Sequence, residues 1–156
     1  MFVALKGANF DGNAFVQHAL DQGATHAITS EREWEGAANV TVVEDTLGAL
    51  QTFARAYRRR WTCPVLAMTG SNGKTTTKEL LAAALSTSGS VLMTPGNWNN
   101  RIGLPLTLFQ LAGEDFGVLE LGTSEPGEIE ALAAIADPDV ALITNVGAAH
   151  LEGLGS

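Results

Sequence analysis

Hydrophobic and polar positions change rhythm at short intervals along this chain, and the changes mark out its elements. Phe2-Val3-Ala4-Leu5, Ala27-Ile28-Thr29 and Val40-Thr41-Val42-Val43 are short apolar or β-branched runs flanked by polar residues, and each reads as a strand. Lys6-Gly7 ends the first of them, and residues 9–13 read as a turn centred on Asp11-Gly12. Between the runs the spacing becomes helical. Ala14 to Gln22 is a helix stopped by Gly23, and Leu47 to Arg59 is a second, with Leu50, Phe53, Ala54 and Tyr57 on one face and Asp45 or Thr46 as its cap.

From Trp61 onward the strands become more continuously apolar. Pro64 to Thr69, Ser90 to Met93, Phe116 to Leu121 and Val140 to Thr144 read as strands. The segments between them read as helices. Thr75 to Ser86 carries Leu80, Leu81, Ala84 and Leu85. A helix beginning at Pro105 carries Leu106, Phe109 and Leu111, and Pro126 to Ala136 has Glu128 and Glu130 in its first half, where the helix dipole favours anions. Strands of this kind alternating with helices predict an α/β fold whose sheet is mostly parallel and covered on both faces. The expected division is a small α/β domain over residues 1–60 and a second domain over residues 61–156. Ligands in such a sheet collect at the carboxyl ends of the strands, which here carry Gly70 to Lys74, Glu120 to Ser124 and Asn145 to His150.

The formal charge of −8 over 156 residues argues against a nucleic-acid surface. The one basic cluster, Arg58-Arg59-Arg60, reads as a solvated helix C-terminus. A single cysteine, Cys63, excludes a disulfide within the chain and reads as a buried thiol. No apolar run reaches membrane-spanning length and no signal peptide is visible, so the cytoplasm is the expected compartment and no integral membrane contact is expected.

The chemistry concentrates in Leu66-Ala67-Met68-Thr69-Gly70-Ser71-Asn72-Gly73-Lys74-Thr75-Thr76-Thr77. An apolar strand, a polar turn with two glycines, a Lys-Thr pair and a helix follow one another. That order builds a triphosphate cradle. Backbone N–H groups of Gly70, Ser71, Asn72, Gly73, Thr75 and Thr76 face the phosphates, Lys74 reaches the outer ones, and the Thr75 hydroxyl ligates Mg²⁺. The spacing departs from the common phosphate loop, since Met68 stands where its first glycine belongs. Glu120 ends an otherwise apolar strand; it is either a solvated strand end or a carboxylate that meets a metal held beside Thr75. His150 lies past another strand end on the same side, while His18 and His26 read as structural or surface residues. The loop from Gly96 to Pro105 sets Asn97, Asn99 and Asn100 around Trp98, a possible active-site loop in which the amides donate and accept without adding charge.

Together these segments resemble the Mur ligase family, the ATP-dependent amide-bond-forming ligases of peptidoglycan assembly. The residues that carry the resemblance are Phe2 to Gly7 with Phe10-Asp11-Gly12, Thr69 to Thr76, Gly96 to Pro105, Glu120 to Ser124 with Pro126-Gly127-Glu128-Ile129, and Thr144 to Gly147 with Ala149-His150-Leu151-Glu152 and Gly155-Ser156. Within the family, the Asn-rich loop and the Glu-Leu-Gly-Thr-Ser stretch point to the members that join D-alanyl-D-alanine to UDP-N-acetylmuramoyl-tripeptide. The resemblance implies ATP and Mg²⁺ as cofactors, and Lys74, Glu120 and His150 as catalytic residues. It implies Thr75 and Glu120 on a first Mg²⁺ and His150 on a second, with Lys6, Gly7, Thr123 and Ser124 on the substrate side.

The same resemblance implies that residues 1–60 are part of a UDP-sugar-binding domain and residues 61–156 the first part of the central ATP-binding domain. A Ser-Arg-containing N-terminal segment, a carbamylated lysine beyond the His150 loop, the rest of the ATPase sheet and a C-terminal domain would lie outside this chain. The chain by itself is then expected to be inactive and to self-associate, while the whole ligase is a monomer. Two other readings remain open. One is another Mur-superfamily ligase, UDP-tripeptide synthetase-like or folylpolyglutamate synthase-like, which the first block would distinguish. The other is a nucleotide-binding module without catalysis.

Overall fold

The computed structural model describes residues 1–147. The chain divides into two compact units, Met1–Leu50 and Gln51–Ser156. The division falls inside a helix rather than in a linker, because the helix over Thr46–Arg58 runs through it without a break.

In the first unit β1 (Phe2–Val3) leads to a short antiparallel ladder of β2 (Lys6–Gly7) and β3 (Phe10–Asp11). The sequence suggests a strand end and a turn here. The ladder forms because Lys6 and Asp11 face each other across it at 3.0 Å, an ion pair that holds the Asp11 carboxyl below its ordinary range. Residues 12–22 are not one helix but a 3-10 turn, Gly12–Phe15, continuing into α1 (Val16–Asp21). Two contacts tighten that first turn. The Asp11 carboxylate accepts the Asn13 N–H, and the buried Asn13 side-chain oxygen accepts from the Thr29 hydroxyl and the Ser30 N–H. Gly12 is obligatory there, since a Cβ would stand 2.7 Å from the Leu5 carbonyl oxygen. β1, β4 (Ala27–Thr29) and β5 (Val40–Val42) then pair in parallel, in the order β1-β4-β5, over a core of Ala4, Val16, Ala27 and Val40. α2 (Thr46–Arg58) starts with Asp45 accepting the Leu47 N–H, so Asp45 is the cap, while the Thr46 hydroxyl donates to the Ala4 carbonyl.

The second unit is a four-stranded, wholly parallel sheet in the order β7-β8-β6-β9, built from β6 (Val65–Thr69), β7 (Val91–Met93), β8 (Phe116–Glu120) and β9 (Val140–Ile143). All four carboxyl ends therefore open on one edge. β6 is followed by a helix, Lys74–Leu85, on one face of the sheet and its neighbour β8 by a helix, Glu128–Ala136, on the other, so the crevice for a ligand lies between the carboxyl ends of β6 and β8. Alternation splits the strand side chains between two faces. Val65, Ala67 and Leu119 pack with Leu104 and Leu108 of α4 (Gly103–Leu108) and with Leu132 and Ile135 of α5 (Glu128–Ala136). Met68 and Val118 pack on the other face with Leu81, Ala82 and Leu85 of α3 (Lys74–Leu85).

Four expectations are revised by this packing. On α3 the inward stripe is Lys78, Leu81, Ala82 and Leu85; Leu80, expected among the apolar contacts, points outward and is 67% exposed. α4 begins at Gly103, two residues before Pro105, because the Asn100 side chain accepts the Ile102 and Gly103 N–H groups and closes the preceding turn; this leaves Leu106 outside. Arg58 is buried rather than solvated. It donates to the Trp61 carbonyl and to Asp139, whose carboxylate also accepts the Val65 N–H at the start of β6. Cys63 is only partly buried, and that burial pushes its thiol up from the ordinary value. β9 is an edge of the described sheet, with Val140, Leu142 and Ile143 exposed. Among the described residues no helix is long and apolar enough to cross a membrane.

Arg58→Ala would strip hydrogen bonds from the Trp61 carbonyl and Asp139 and leave a void at the foot of β6. A loss of about 2 kcal/mol in unfolding free energy is expected, in the range for charge-assisted bonds. Urea unfolding checks this, and an unchanged midpoint would show that Asp139 needs no partner to hold β6.

Candidate active site

The turn from β6 into α3 reverses direction without help from a long glycine run. Gly70 has φ of 140°, and a Cβ there would collide with the Thr144 hydroxyl oxygen and the Asn145 backbone. Gly73 has φ of 79° and precedes the first residue of α3. The N–H groups at the start of α3 have no acceptor within the helix. With the dipole they make the end of β6 an anion site. Lys74, the first residue of the helix, bends its amine back to the Gly70 carbonyl at 2.6 Å. That contact spans the mouth of the cradle and lets the cation sit beside a helix start that would otherwise disfavour it.

The turn is held from outside by the segment that follows β9. The Thr144 hydroxyl donates to the Asn72 carbonyl, the Asn145 side-chain oxygen accepts the Asn72 N–H, and the Asn145 carbonyl accepts the Ser71 N–H. Ser71 and Gly147 exchange two further bonds, hydroxyl to carbonyl and N–H to hydroxyl oxygen. The sequence marks residues 144–147 as a strand end on the ligand side and as part of the family resemblance, but not as the partners of the turn. Their role was hidden because it depends on β9 pairing with β6. The pairing sets Ile143 opposite Thr69 and so brings Asn145 to the turn.

Glu120 is 3% exposed and lies on the α3 side of β8. Its two oxygens accept from the Thr75 hydroxyl and the Asn99 amide, both at 2.9 Å, and its backbone N–H donates to the Thr94 hydroxyl. Of the two readings left open by the sequence, the solvated strand end is therefore excluded. The carboxylate is inside and fully partnered by neutral donors. The hydroxyl of Thr75 and the carboxylate of Glu120 are hard oxygen donors at the edge of the phosphate cradle, a donor set that fits Mg²⁺.

Two clefts meet at Lys74 and Thr123. One, of about 330 Å³, is lined by Thr69, Gly70, Ser71, Ile129, Asn145 and Gly147 among others. The other, of about 270 Å³, is lined by Asn99, Asn100, Gly122, Ser124 and Glu128. Of the residues singled out in the sequence, Gly70, Ser71, Lys74, Asn99, Asn100, Thr123 and Ser124 thus meet around the two clefts. Thr75 joins through Glu120, while Thr76 is exposed on the first turn of α3. Asn97 is exposed, and Trp98 is 41% exposed rather than held in a core pocket. Lys6 and Gly7 belong to the first unit, on its small ladder. His150 lies outside the described residues. Glu128, read only as a helix-start anion, closes the Ser124 turn by accepting the Ser124 and Glu125 N–H groups.

Two outcomes are expected. Asn145→Ala should free the Asn72 N–H and speed its solvent exchange by about tenfold, with the amides of β6 unchanged; equal exchange in both proteins would show that the turn closes itself. The N–H groups of Ser124 and Glu125 hold the Glu128 carboxyl below its ordinary 4.5. The stabilisation from Glu128 is therefore complete above that value and is lost as pH falls through the lowered one. Carboxyl carbon NMR should place the Glu128 midpoint below those of exposed glutamates, and a midpoint at or above theirs would contradict the turn.

Comparison with known proteins bears on the fold and the family. The sequence profile of the Mur ligase middle domain matches residues 68–156. The UDP-N-acetylmuramoyl-tripeptide–D-alanyl-D-alanine ligase of Synechocystis is 48% identical, and that of Bacillus subtilis 44% identical. Each alignment covers 100% of this chain and 35% of the relative. Among solved structures, MurF from Acinetobacter baumannii superposes with a TM-score of 0.91 at 39% identity, over 100% of this chain and 34% of that one. MurF from Thermotoga maritima in complex with ADP gives 0.88 at 42% identity, over 95% and 35%. The chain spans about a third of the length of the curated relatives it matches. With the middle-domain profile covering more than half of its residues, the chain belongs to the Mur ligase family.

Proposed function

We propose that this chain supplies the phosphate and metal site of an ATP-dependent ligase joining D-alanyl-D-alanine to UDP-N-acetylmuramoyl-tripeptide in peptidoglycan precursor synthesis. The observation that carries the reading is the pairing of Thr75 with Glu120 at one edge of a cradle that also holds Lys74. High identity to ligases of that name, and likeness to a MurF that binds ADP, support the choice of substrates and nucleotide. The work is placed in the cytoplasm, where ATP and nucleotide-sugar precursors are made.

In this reading the acceptor carboxylate attacks the terminal phosphorus of ATP, and ADP leaves. The amine of D-alanyl-D-alanine then attacks the acyl carbon, and the tetrahedral intermediate collapses to the amide with loss of phosphate and a proton. Activation is needed because oxide is a poor leaving group and phosphate a good one. The N–H groups at the start of α3 cradle the phosphates. Lys74 exchanges its Gly70 carbonyl for the outer phosphate oxygens as charge moves onto them. Thr75 and Glu120 would hold Mg²⁺, which when bound neutralises phosphate charge. Asn99 fixes one Glu120 oxygen so that the other stays aimed at Thr75. Thr123 and Ser124, on the wall shared by both clefts or beside it, face the acceptor end of the reaction. Lys6 and Gly7 are assigned to the nucleotide sugar, and His150 to a second metal, on the family resemblance.

Lys74→Ala removes the point charge while leaving the turn backbone intact. In the full-length ligase, turnover should fall by about 10³-fold with folding unchanged; near-normal phosphate release with acceptor present would remove Lys74 from the mechanism. Label from an ¹⁸O-carboxylate acceptor should appear in the released phosphate. Release of AMP and pyrophosphate would overturn the acyl phosphate route.

A further inference from the structure

Lys78 is fully buried, and the phosphate chemistry does not use it. It lies on α3 one turn beyond Lys74, on the side facing the sheet. Its amine donates to the Thr94 carbonyl at 2.8 Å, and among the described residues the one carboxylate paired with it is that of Glu79, at 3.4 Å and itself 54% exposed. Burying a lysine with so little compensation works against stability. A leucine or methionine would fill the same space in the stripe of Leu81, Ala82 and Leu85 at lower cost. The residue that Lys78 grips explains its presence. Thr94 is fully buried at the carboxyl end of β7, and its hydroxyl accepts the Glu120 N–H at 2.9 Å.

A continuous path therefore links α3 to β8: Lys78 amine to Thr94 carbonyl, Thr94 hydroxyl to Glu120 N–H, Glu120 carboxylate to the Thr75 hydroxyl, and back along α3 from Thr75 to Lys78. The loop closes through one turn of helix. β7 ends at Met93, so no strand ladder fixes Thr94 beyond its own N–H bond to Val118. We propose that Lys78 is a positioning residue: by holding Thr94 against α3 it sets the height of Glu120 opposite Thr75, and so the spacing of the two oxygens offered to a divalent cation. This rests on the reading of Thr75 and Glu120 as the metal-holding pair.

The test is Lys78→Met in the 156-residue chain, followed by amide exchange and by the carboxyl carbon signal of Glu120. Exchange of the Glu120 N–H should accelerate by about tenfold while Val118 and Leu119, in the middle of β8, change by less than about threefold. Lys78→Arg, which keeps a cationic donor, should restore protection at least in part. An unchanged Glu120 amide overturns the proposal, and so does a uniform loss along β8, which marks Lys78 as a stabiliser only. Should Lys78→Met not fold, Lys78→Leu, which also removes the donor, is read in the same way. A Mg²⁺ titration of the Glu120 carboxyl signal separates the two readings. In the unsubstituted chain, movement of that signal upholds the metal pair, and its absence overturns that pair while leaving the exchange result to judge the positioning. With movement present, Lys78→Met should raise the midpoint by about tenfold, and equal midpoints would overturn the role of Lys78.

Discussion

The parallel pairing of β9 with β6 is the constraint on which the site depends. It sets Thr144 and Asn145 beside a turn that has few hydrogen bonds of its own and supplies the partners that close it. The same approach is what forbids a side chain at Gly70. A strand that enters the sheet some seventy residues after the turn thus shapes it. The local Lys74 contact with the Gly70 carbonyl adds to it, and with this support the loop can depart from the usual glycine spacing and still form. One consequence concerns which donors remain. The N–H groups of Ser71 and Asn72 are spent on Asn145, so the anion site consists of the amides from Gly73 into the first turn of α3, together with Lys74.

Charge at the site is arranged as a set of short contacts within an acidic chain. Lys74 and Lys78 sit on α3 one turn apart, each donating to a backbone carbonyl, and Glu120 is partnered by a hydroxyl, an amide and a backbone contact rather than by a cation. Leaving both lysines and the glutamate free of strong ion pairs keeps the phosphate cation and the carboxylate available to a ligand. A direct Lys74–Glu120 pair would satisfy both charges and close the site. Instead the second Glu120 oxygen accepts from the Asn99 amide, and the Gly122 N–H donates to the Asn99 carbonyl, so the Asn-rich loop is locked to the end of β8. A Cβ on Gly122 would fall 2.8 Å from the Asn99 side-chain oxygen, and one on Gly103 would meet the Trp98 backbone at 2.6 Å. Close packing around this loop, not a pocket for Trp98, accounts for its composition.

The strands and helices of the second unit were legible because their periods are clean: apolar runs for strands buried on both faces, and three-to-four spacing for helices. The phosphate turn was legible from residue order, and Glu120 from the improbability of a carboxylate at the end of Phe116-Gly117-Val118-Leu119. What escaped was set by tertiary contacts. Leu80 turned outward because the face of α3 that meets the sheet is fixed by Leu81, Ala82 and Leu85, and Lys78, which the sequence did not single out, lies on that face and finds its acceptor where β7 ends. Arg58 looked solvated because its partners lie about eighty positions away, at Asp137 and Asp139. Residues 12–15 tightened into a 3-10 turn because Thr29 and Ser30 bind Asn13. The burial of Lys78 and Arg58 and the tightening at Asn13 each involve a hydrogen-bond partner remote in sequence, whereas the early start of α4 follows from the local Asn100 turn.

Amide shift mapping of the chain during titration with Mg²⁺ and ADP tests the central claim most directly. The account predicts that the largest changes fall on Gly73, Lys74, Thr75 and Thr76, with Glu120 following Thr75, while the Asn72 amide stays protected by Asn145. Saturable changes that centre elsewhere, or an Asn72 amide that leaves Asn145 for the nucleotide before those of α3 respond, would contradict it.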